Sequence, residues 1–383
     1  MYTKLTIVLL LMLFSVSNGV KANTDSNEDG KAGISFNHAS WDEVLEEANK
    51  QNKLIFVDCY TSWCGPCKMM AKTTFTEKEV GAFFNQHFVN VKLDMEKEPG
   101  IALKKKFGVS AFPTLLFLDA NQNIIHKSVG ALNKEELLKF ANEALDGSAT
   151  LSGYHKKYSE MGVSDPHFVV DYLNKLEVAG EKKIIVEVVN AYFKDLNKEE
   201  LLKQQNWNLL KKYVHNIGNL AFQYLLKNQE SFIGAYGKKE VEDKVYFTFL
   251  RQGNQLCDKE ENGSYTLNEE RKQSFLNDLQ ENQVRDKEMI RAYSEISTSR
   301  TLGDWPAYVA AVSKYLHSGI IDKGAMSLYN YALPVNRAVK EKSLRNEAVS
   351  WCDMGIKIDG LSEGYINAFK DLKKQLNTVG SDQ

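Results

Sequence analysis

The apolar residues of this chain follow two patterns. Between residues 35 and 147, short apolar runs such as Leu54–Tyr60 and Leu115–Leu118 alternate with amphipathic stretches, which indicates buried strands between helices. The predicted order is helix, strand, helix, strand, helix, strand, strand, helix. From residue 152 to 376 the apolar positions recur at helical spacing and only three prolines interrupt them, so a second, all-α domain is predicted. We expect the boundary at Asp146–Ser148.

Helix ends in the first domain are marked by local signals. A polar capping residue is followed three positions later by glutamate in Ser40–Glu43, Thr76–Glu79 and Asn133–Glu136, and each pair predicts a helix start. A short helix is expected over Pro99–Phe107. It ends at Gly108, because glycine readily takes the backbone conformation that closes a helix.

The second domain has the pattern of consecutive amphipathic helices. Apolar faces are traced by residues 185–196, 207–214 and 305–316, and we interpret them as core rather than as a peptide groove. Breaks are expected near Gly180, Gly237, Gly319 and Gly360. The pattern predicts antiparallel helical hairpins, possible units of an α-solenoid. Residues 329–351 faintly resemble a tetratricopeptide-like repeat, although no period of about 34 residues is visible.

The first residues have the composition of an export signal. Lys4 is followed by an apolar run of ten residues, Leu5–Phe14, which is typical of a cleaved secretory signal and short for a membrane span. We expect residues 1–22 to be the signal, residues 23–34 a flexible segment and residues 377–383 a disordered tail. No cysteine lies near the expected cut, which argues against a stable membrane anchor. With no retention tetrapeptide at the end, a bacterial periplasm is favoured.

Composition gives no sign of a nucleic-acid partner. The formal net charge is −2, which offers no electrostatic attraction for nucleic acid or for anionic membranes. Hydrophobic residues make up 43% of the chain, as in ordinary globular proteins. No flavin or nicotinamide fingerprint is present, so no cofactor is expected.

The chemistry of the chain is concentrated in one hexapeptide, Trp63-Cys64-Gly65-Pro66-Cys67-Lys68. Two cysteines at this spacing, on a turn that opens a helix, can form a redox couple, because a helix N-terminus stabilises a thiolate. Gly65 suits the tight turn, and Pro66 suits a first helical turn, where its missing N–H costs nothing.

The same spacing also occurs in zinc sites, which need two further ligands. The other cysteines are Cys59, Cys257 and Cys352, so the chain has no second Cys-x-x-Cys pair, and no His-x3–5-His pair follows the first one. We therefore expect no metal. Cys257 and Cys352 are predicted to be buried free thiols, with a mutual disulfide as the alternative in an exported protein.

The segments on either side of the hexapeptide match the pattern of a known protein family. Val57-Asp58 precedes it, and Val91–Asp94, Phe112–Thr114 and Val129–Leu132 follow it in order. In this order and at these spacings, residues 35–147 resemble the thioredoxin-fold family of Cys-Gly-Pro-Cys type. The resemblance implies a central mixed sheet flanked by helices. Residues 72–80 are similar to the corresponding part of the periplasmic domain of the bacterial transmembrane thiol reductase.

The resemblance also implies roles for four residues of the redox centre. Cys64 is implied to be the exposed nucleophile and Cys67 the resolving thiol, the two forming the redox-active disulfide. Asp58 is implied to be a buried carboxylate that helps to move the proton of Cys67. Lys92 is implied to be its buried partner.

A second group of residues is implied to bind the partner protein. Pro113, preceded by Phe112, is implied to follow a cis peptide bond and to place backbone beside the cysteines, where a substrate strand can pair with it. Gly130 is implied to keep the docking surface flat, and Trp63 to cover part of the site. Cys59 stands outside this group, and we expect it to be a buried, inert thiol.

The function predicted from these features is that of an exported thiol–disulfide oxidoreductase. The Gly-Pro dipeptide between the cysteines favours a reductase or an isomerase, and an oxidase is the alternative with the same chemistry. Its partners are expected to be proteins with disulfides or thiols, with electrons supplied by a membrane-embedded donor or another redox protein. The alternative is a redox-sensing or scaffold protein whose helical domain holds a partner.

Overall fold

The computed structural model describes residues 33–378. The predicted signal at 1–22, residues 23–32 of the predicted flexible segment and residues 379–383 of the predicted tail lie outside that range. Of the segment, the structure describes Gly33 and Ile34, and the flexibility predicted for it stays a prediction. Gly33 is buried, and the Ile34 amide donates to the Phe75 carbonyl at 2.8 Å.

The chain forms two compact units, one ending at Ser152 and one beginning at Gly153. The first unit contains a four-stranded sheet. Its strands are β1 (Leu54–Tyr60), β2 (Phe88–Asp94), β3 (Thr114–Leu118) and β4 (Ile124–Val129). Its helices are α1 (Trp41–Gln51), α2 (Gly65–Lys72), α3 (Lys78–His87), α4 (Gly100–Lys106) and α5 (Lys134–Asp146). A 3-10 turn at Thr74–Thr76 joins α2 to α3.

The sheet has the order β2-β1-β3-β4, with β1 and β2 parallel and the other neighbours antiparallel. This is the mixed sheet that the resemblance implied, and the predicted order of elements is confirmed, with the helical stretch between β1 and β2 divided into α2 and α3. Strand β1 is central and buries both faces, which explains why its sequence is a continuous apolar run.

Two hydrophobic cores cover the two faces of the sheet. Alternate residues of a strand point to opposite faces, so Val57 packs in one core while Phe56 packs in the other. The core around Val57 is closed by Val44 of α1 and Leu103 of α4. The core around Phe56 is largely aromatic, and the Phe56 and Phe84 rings meet edge to face with centroids 4.7 Å apart.

Two of the three predicted capping boxes are confirmed. Both hydrogen bonds of the box are present in Ser40–Glu43 at the start of α1 and in Asn133–Glu136 at the start of α5. The box predicted at Thr76–Glu79 is wrong. The Thr76 hydroxyl donates back to the carbonyls of Lys72 and Thr73, so α3 begins after Glu77 without a side-chain cap.

The second unit is almost entirely helical, as predicted. Its helices are α6 (Leu151–Met161), α7 (Pro166–Val178), α8 (Lys182–Lys194), α9 (Lys198–Leu201), α10 (Gln204–Tyr213), α11 (Leu220–Lys227), α12 (Gln229–Tyr236), α13 (Lys238–Gly253), α14 (Glu269–Glu281), α15 (Lys287–Leu302), α16 (Trp305–Ser318), α17 (Ala325–Ala338), α18 (Lys342–Ile356) and α19 (Glu363–Thr378). A hairpin of β5 (Cys257–Lys259) and β6 (Tyr265–Leu267) interrupts them, and the sequence did not predict it. Helix α19 runs two residues past the expected end at 376.

The apolar faces of this unit form core, as we interpreted them. Tyr192, Trp207 and Val312, one from each predicted face, are all buried. The helix ends expected at Gly237 and Gly319 are present, and both glycines have positive φ. Whether the helices form a solenoid or a tetratricopeptide-like array stays a prediction. In the part of the chain that the structure describes, no helix is both long and apolar enough to span a membrane.

The two cysteines of the second unit are both free thiols. Cys352 is buried in α18, as predicted. The prediction of burial is wrong for Cys257, which is only half-buried because it begins the short hairpin strand β5.

Candidate active site

The two motif cysteines lie where the central strand passes into a helix. β1 ends at Tyr60, a short turn follows, and Cys64 is the N-terminal cap of α2. Its sulfur accepts a hydrogen bond from the Cys67 backbone N–H at 3.1 Å. The two sulfurs are bonded to each other at 2.07 Å. The helix N-terminus therefore directs an N–H donor at the Cys64 sulfur, where it would stabilise a thiolate.

The residues between the cysteines explain the start of the helix. Gly65 and Pro66 are its first two residues, where a backbone N–H has no partner within the helix. Proline therefore loses no hydrogen bond there, and its fixed φ suits the first turn. The predicted fit of both residues to this turn is confirmed.

Cys64 is less accessible than predicted. Cys64 is 3% exposed and Cys67 is 2% exposed, so the expectation that Cys64 is exposed is wrong for the disulfide form. The physical reason is the bond to Cys67 and the N–H contact, which direct the Cys64 sulfur towards α2. Trp63 beside it is 65% exposed, and its indole N–H donates to the Glu96 carboxylate at 2.9 Å. Sequence reasoning did not identify Glu96.

A partly buried ion pair lies on the strands behind the motif. Asp58 and Lys92 are paired directly across β1 and β2, and the Lys92 ammonium donates to Asp58 Oδ2 at 2.6 Å. The second carboxylate oxygen of Asp58 is buried and has no hydrogen-bond partner in the described chain. Burial raises the pKa of the Asp58 carboxyl, and the charge of Lys92 offsets only part of that effect. Lys92 is 25% exposed, so the prediction of a buried lysine is only partly correct.

Three aromatic rings surround the Lys92 ammonium. Its nitrogen lies 4.5 Å from the centroid of Tyr60, 5.4 Å from that of Phe75 and 5.7 Å from that of Phe36. Aromatic faces attract a cation, so the rings hold the ammonium beside Asp58. Sequence reasoning missed these rings. Tyr60 could have been found, because it is two residues after Asp58 and thus on the same face of β1.

The predicted docking residues are also brought together. The Phe112–Pro113 peptide bond is cis, as the resemblance implied. The Gly130 amide donates to the Pro113 carbonyl at 2.9 Å. Gly130 has φ +108°, and a Cβ there would meet no atom within 4 Å, so its backbone conformation rather than a lack of space favours glycine. The Phe112 ring packs edge to face on Trp63, with centroids 6.0 Å apart.

The cysteine nearest the pair in sequence, Cys59, is chemically different from it. Its side chain is fully buried in the core of β1, and burial raises the pKa of its thiol well above the ordinary value. A neutral buried thiol is a poor nucleophile, in agreement with the predicted inert role. Within residues 33–378, no group of three or more His, Cys, Asp or Glu side chains is arranged to hold a metal ion.

The site therefore contains a disulfide at a helix N-terminus and a buried carboxylate of raised pKa on the preceding strand. Reduction of the disulfide would place a thiolate at the helix end, where the Cys67 N–H stabilises it. Such a pair can exchange two electrons with another dithiol or disulfide.

Comparisons with known proteins agree with this geometry. A family model described as Thioredoxin matches residues 33–143. Thioredoxin H4 of Arabidopsis thaliana is 34% identical over 110 residues, which are 29% of this chain and 87% of that protein.

Two bacterial proteins are similar as well. The thiol:disulfide interchange protein DsbD of Pseudoalteromonas atlantica is 29% identical over 108 residues, which are 28% of this chain and only 18% of that protein. The solution structure of a candidate disulphide-isomerase from Bacteroides thetaiotaomicron is 45% identical, with a TM-score of 0.29, and the match covers 31% of this chain and 98% of that one. Because this chain covers most of a relative that is 34% identical to it, and the family match includes the Cys64–Cys67 disulfide, the chain belongs to the thioredoxin family of thiol–disulfide oxidoreductases.

Proposed function

We propose that the protein exchanges disulfides with other proteins through Cys64 and Cys67. The Cys64 thiolate attacks one sulfur of a partner disulfide, forms a mixed disulfide and releases one partner thiolate. The Cys67 thiolate then attacks the Cys64 sulfur and releases the second partner thiolate. Two electrons pass to the partner, and the Cys64–Cys67 disulfide is restored. The observation that carries this proposal is the hydrogen bond from the Cys67 N–H to the Cys64 sulfur.

Asp58 is proposed to accept the proton of the Cys67 thiol before the second step. A carboxylate is a better proton acceptor when its pKa is raised towards the working pH, and burial has this effect on Asp58. Its unpartnered oxygen supports the same role, since that oxygen is free to take a proton, directly or through water. Lys92 and the rings around it are proposed to hold the carboxylate in place.

The partner is proposed to dock on the segment before β3. Phe112 packs on the exposed ring of Trp63, and the next residue, Pro113, accepts a hydrogen bond from the amide of Gly130, which adds no side chain. An extended partner segment there could pair with backbone beside the disulfide. Backbone pairing is tolerant of sequence, which suits an enzyme that acts on several proteins.

The setting of this chemistry is also a proposal. We infer export to a bacterial periplasm from the apolar run near the N-terminus, and a reducing or isomerising direction from the Gly-Pro dipeptide. Because the sequence carries no cofactor fingerprint, a membrane-embedded donor or another redox protein would supply the electrons. The helical region, predicted to span residues 152–376, would recruit or position the partner proteins.

Cysteine substitutions test the proposed exchange. Cys64→Ser is expected to abolish turnover of a protein disulfide such as that of insulin, because no thiolate remains to attack. Cys67→Ser is expected to accumulate a mixed disulfide, visible by non-reducing mass spectrometry, because the resolving thiol is missing. Cys257→Ser is the matched control and should retain full activity. Full turnover by Cys64→Ser would refute the proposal, whereas partner capture without either cysteine would favour the scaffold alternative.

A further inference from the structure

The second unit contains a cavity of about 510 Å³ whose lining has no part in disulfide exchange. It lies between α14, α15, α16 and the hairpin strand β6. Its wall is largely apolar and is formed by Leu256, Leu267, Leu276, Leu302, Ala307 and Ala311. A space of this size is within the range of sites for small organic ligands.

Two of the three cations that line this cavity are already paired within the fold. Lys272 lies 3.4 Å from the Glu269 carboxylate. Lys314 donates to the Tyr315 hydroxyl at 3.0 Å and lies 3.7 Å from the Glu295 carboxylate. The Tyr315 hydroxyl in turn donates to Glu295 at 2.6 Å, so that carboxylate is also occupied.

The third cation, Arg291, makes one long ion pair, with Glu288, and its Nε–H donates no hydrogen bond within the described chain. Its Nε is buried, and none of the residues that the structure describes offers it an acceptor. The nearest carboxylate oxygen, on Glu288, is 3.8 Å from Nη1, which is beyond hydrogen-bonding distance. The other acid in the lining, Asp304, accepts the Ala307 N–H as the cap of α16. The Arg291 side chain as a whole is 34% exposed, but its Nε–H is a buried donor without an acceptor, which is rare in folded proteins and calls for an explanation.

We propose that the cavity binds a small carboxylate with an apolar chain, of the medium-chain fatty acid type. The carboxylate would accept hydrogen bonds from the Arg291 guanidinium, whose planar fork matches its two oxygens. The chain would lie against the leucine wall. A phosphate ester fits less well, because its second charge would need a second cation and both lysines of the lining are occupied.

Calorimetric titration of the mature protein with decanoate tests this inference. Wild type is expected to bind decanoate, and Arg291→Gln to bind it about tenfold or more weakly, the loss of one charged hydrogen bond. Arg300→Gln is the matched control, because Arg300 is an exposed arginine of the same helix and is not in the cavity lining. Its affinity should equal that of wild type.

Decanol provides a second measurement that needs no variant. It has the same chain without the carboxylate, so wild type should bind it about tenfold more weakly than decanoate. Equal affinity for decanol and decanoate, no binding of decanoate, or an unchanged affinity in Arg291→Gln would overturn the proposal. Tighter binding of an apolar tripeptide with a free carboxyl terminus would overturn the fatty-acid assignment. None of these results depends on Cys64 or Cys67, so failure here leaves the exchange mechanism intact.

Discussion

Asp58 shows how a single residue can cost stability and serve chemistry at the same time. Its carboxyl is 1% exposed, one of its oxygens has no hydrogen-bond partner in the described chain, and burial raises its pKa. The folded protein therefore keeps the Asp58 proton up to a higher pH than the unfolded chain. Between the pKa of Asp58 in the unfolded chain and its higher pKa in the folded protein, the folded state binds more protons than the unfolded state. The free energy of unfolding therefore decreases as the pH rises through this range.

Asp58→Asn is therefore expected to stabilise the protein at neutral pH. The amide carries no charge to bury, and we expect the free energy of unfolding at pH 7 to rise by about 1–3 kcal/mol. The gain should shrink as the pH falls towards 3.8, the ordinary value for an aspartate, since Asp58 of the folded wild type then becomes protonated and neutral as well. Urea unfolding at several pH values measures this, and a variant less stable than wild type at pH 7 would contradict the account.

The same substitution is expected to slow the second chemical step. Without a proton acceptor near Cys67, release of the partner from the mixed disulfide should fall by about 10²-fold or more, the usual contribution of a positioned base. Formation of the mixed disulfide by Cys64 should change much less. Acid-quenched single-turnover reactions separate the two steps, and equal slowing of both would argue against the role assigned to Asp58.

At the scale of elements, short sequence motifs predicted the features that depend on contacts between residues close in the chain. The caps at Ser40–Glu43 and Asn133–Glu136 form because each pair bonds only within its own helix turn. Thr76–Glu79 has the same spacing but fails, because Thr76 ends the 3-10 turn and its hydroxyl donates to the carbonyls of Lys72, at the end of α2, and of Thr73. The hairpin after α13 was missed because strands of three residues show no alternation. The Asn262-Gly263 dipeptide in its turn was the available signal.

The features of the active site also differ in whether they depend on residues close in the chain or on residues far apart. The disulfide position and its helix start were predictable, because Cys64 to Cys67 are consecutive in one turn. The pairing of Asp58 with Lys92 came from the family resemblance, since strand register is a long-range property that these two residues cannot reveal alone. The contact between Trp63 and Glu96 had no signal, because it depends on how two loops approach each other.

Helix packing in the second unit can be tested with a pair of glycines. In α18, a Cβ at Gly355 would lie 2.3 Å from the ring of Phe369, which is fully buried and cannot move aside. Gly355→Ala is therefore expected to destabilise the unit by about 1–3 kcal/mol. In α12, a Cβ at Gly234 would meet nothing within 4 Å, so Gly234→Ala should stabilise by about 0.5–1 kcal/mol. Thermal unfolding of both variants checks the prediction, and a stabilising Gly355→Ala would contradict the packing of α18 on α19.

At the scale of the whole molecule, the chain consists of two units of different architecture. The first has the family match over residues 33–143, and it contains all the residues assigned to disulfide exchange. The second has its own hydrophobic core, centred on residues such as Trp351 and Tyr308. The sequence predicted its helices from periodicity, but periodicity shows only which faces are buried, and it carries no information about a ligand or a partner.

The first unit is expected to be active alone. A fragment of residues 23–152 should fold, because both of its cores are complete within it, and it should reduce a small disulfide at the rate of the mature protein. If the helical unit recruits protein partners, the fragment should turn over protein disulfides more slowly than the mature protein does. Parallel assays with a small disulfide and a protein disulfide test this, and an inactive but folded fragment would contradict the assignment of the chemistry to the first unit.

The most direct test of the account is the reduction potential of the Cys64–Cys67 couple in the mature protein, measured by equilibration with thiol buffers of defined potential. We expect one two-electron couple near the thioredoxin value of about −270 mV, absent from Cys67→Ser and unchanged in Cys257→Ser. A potential of about −120 mV would contradict the reducing direction, because it is typical of an oxidase. The absence of any couple would contradict the central claim that these two cysteines exchange electrons.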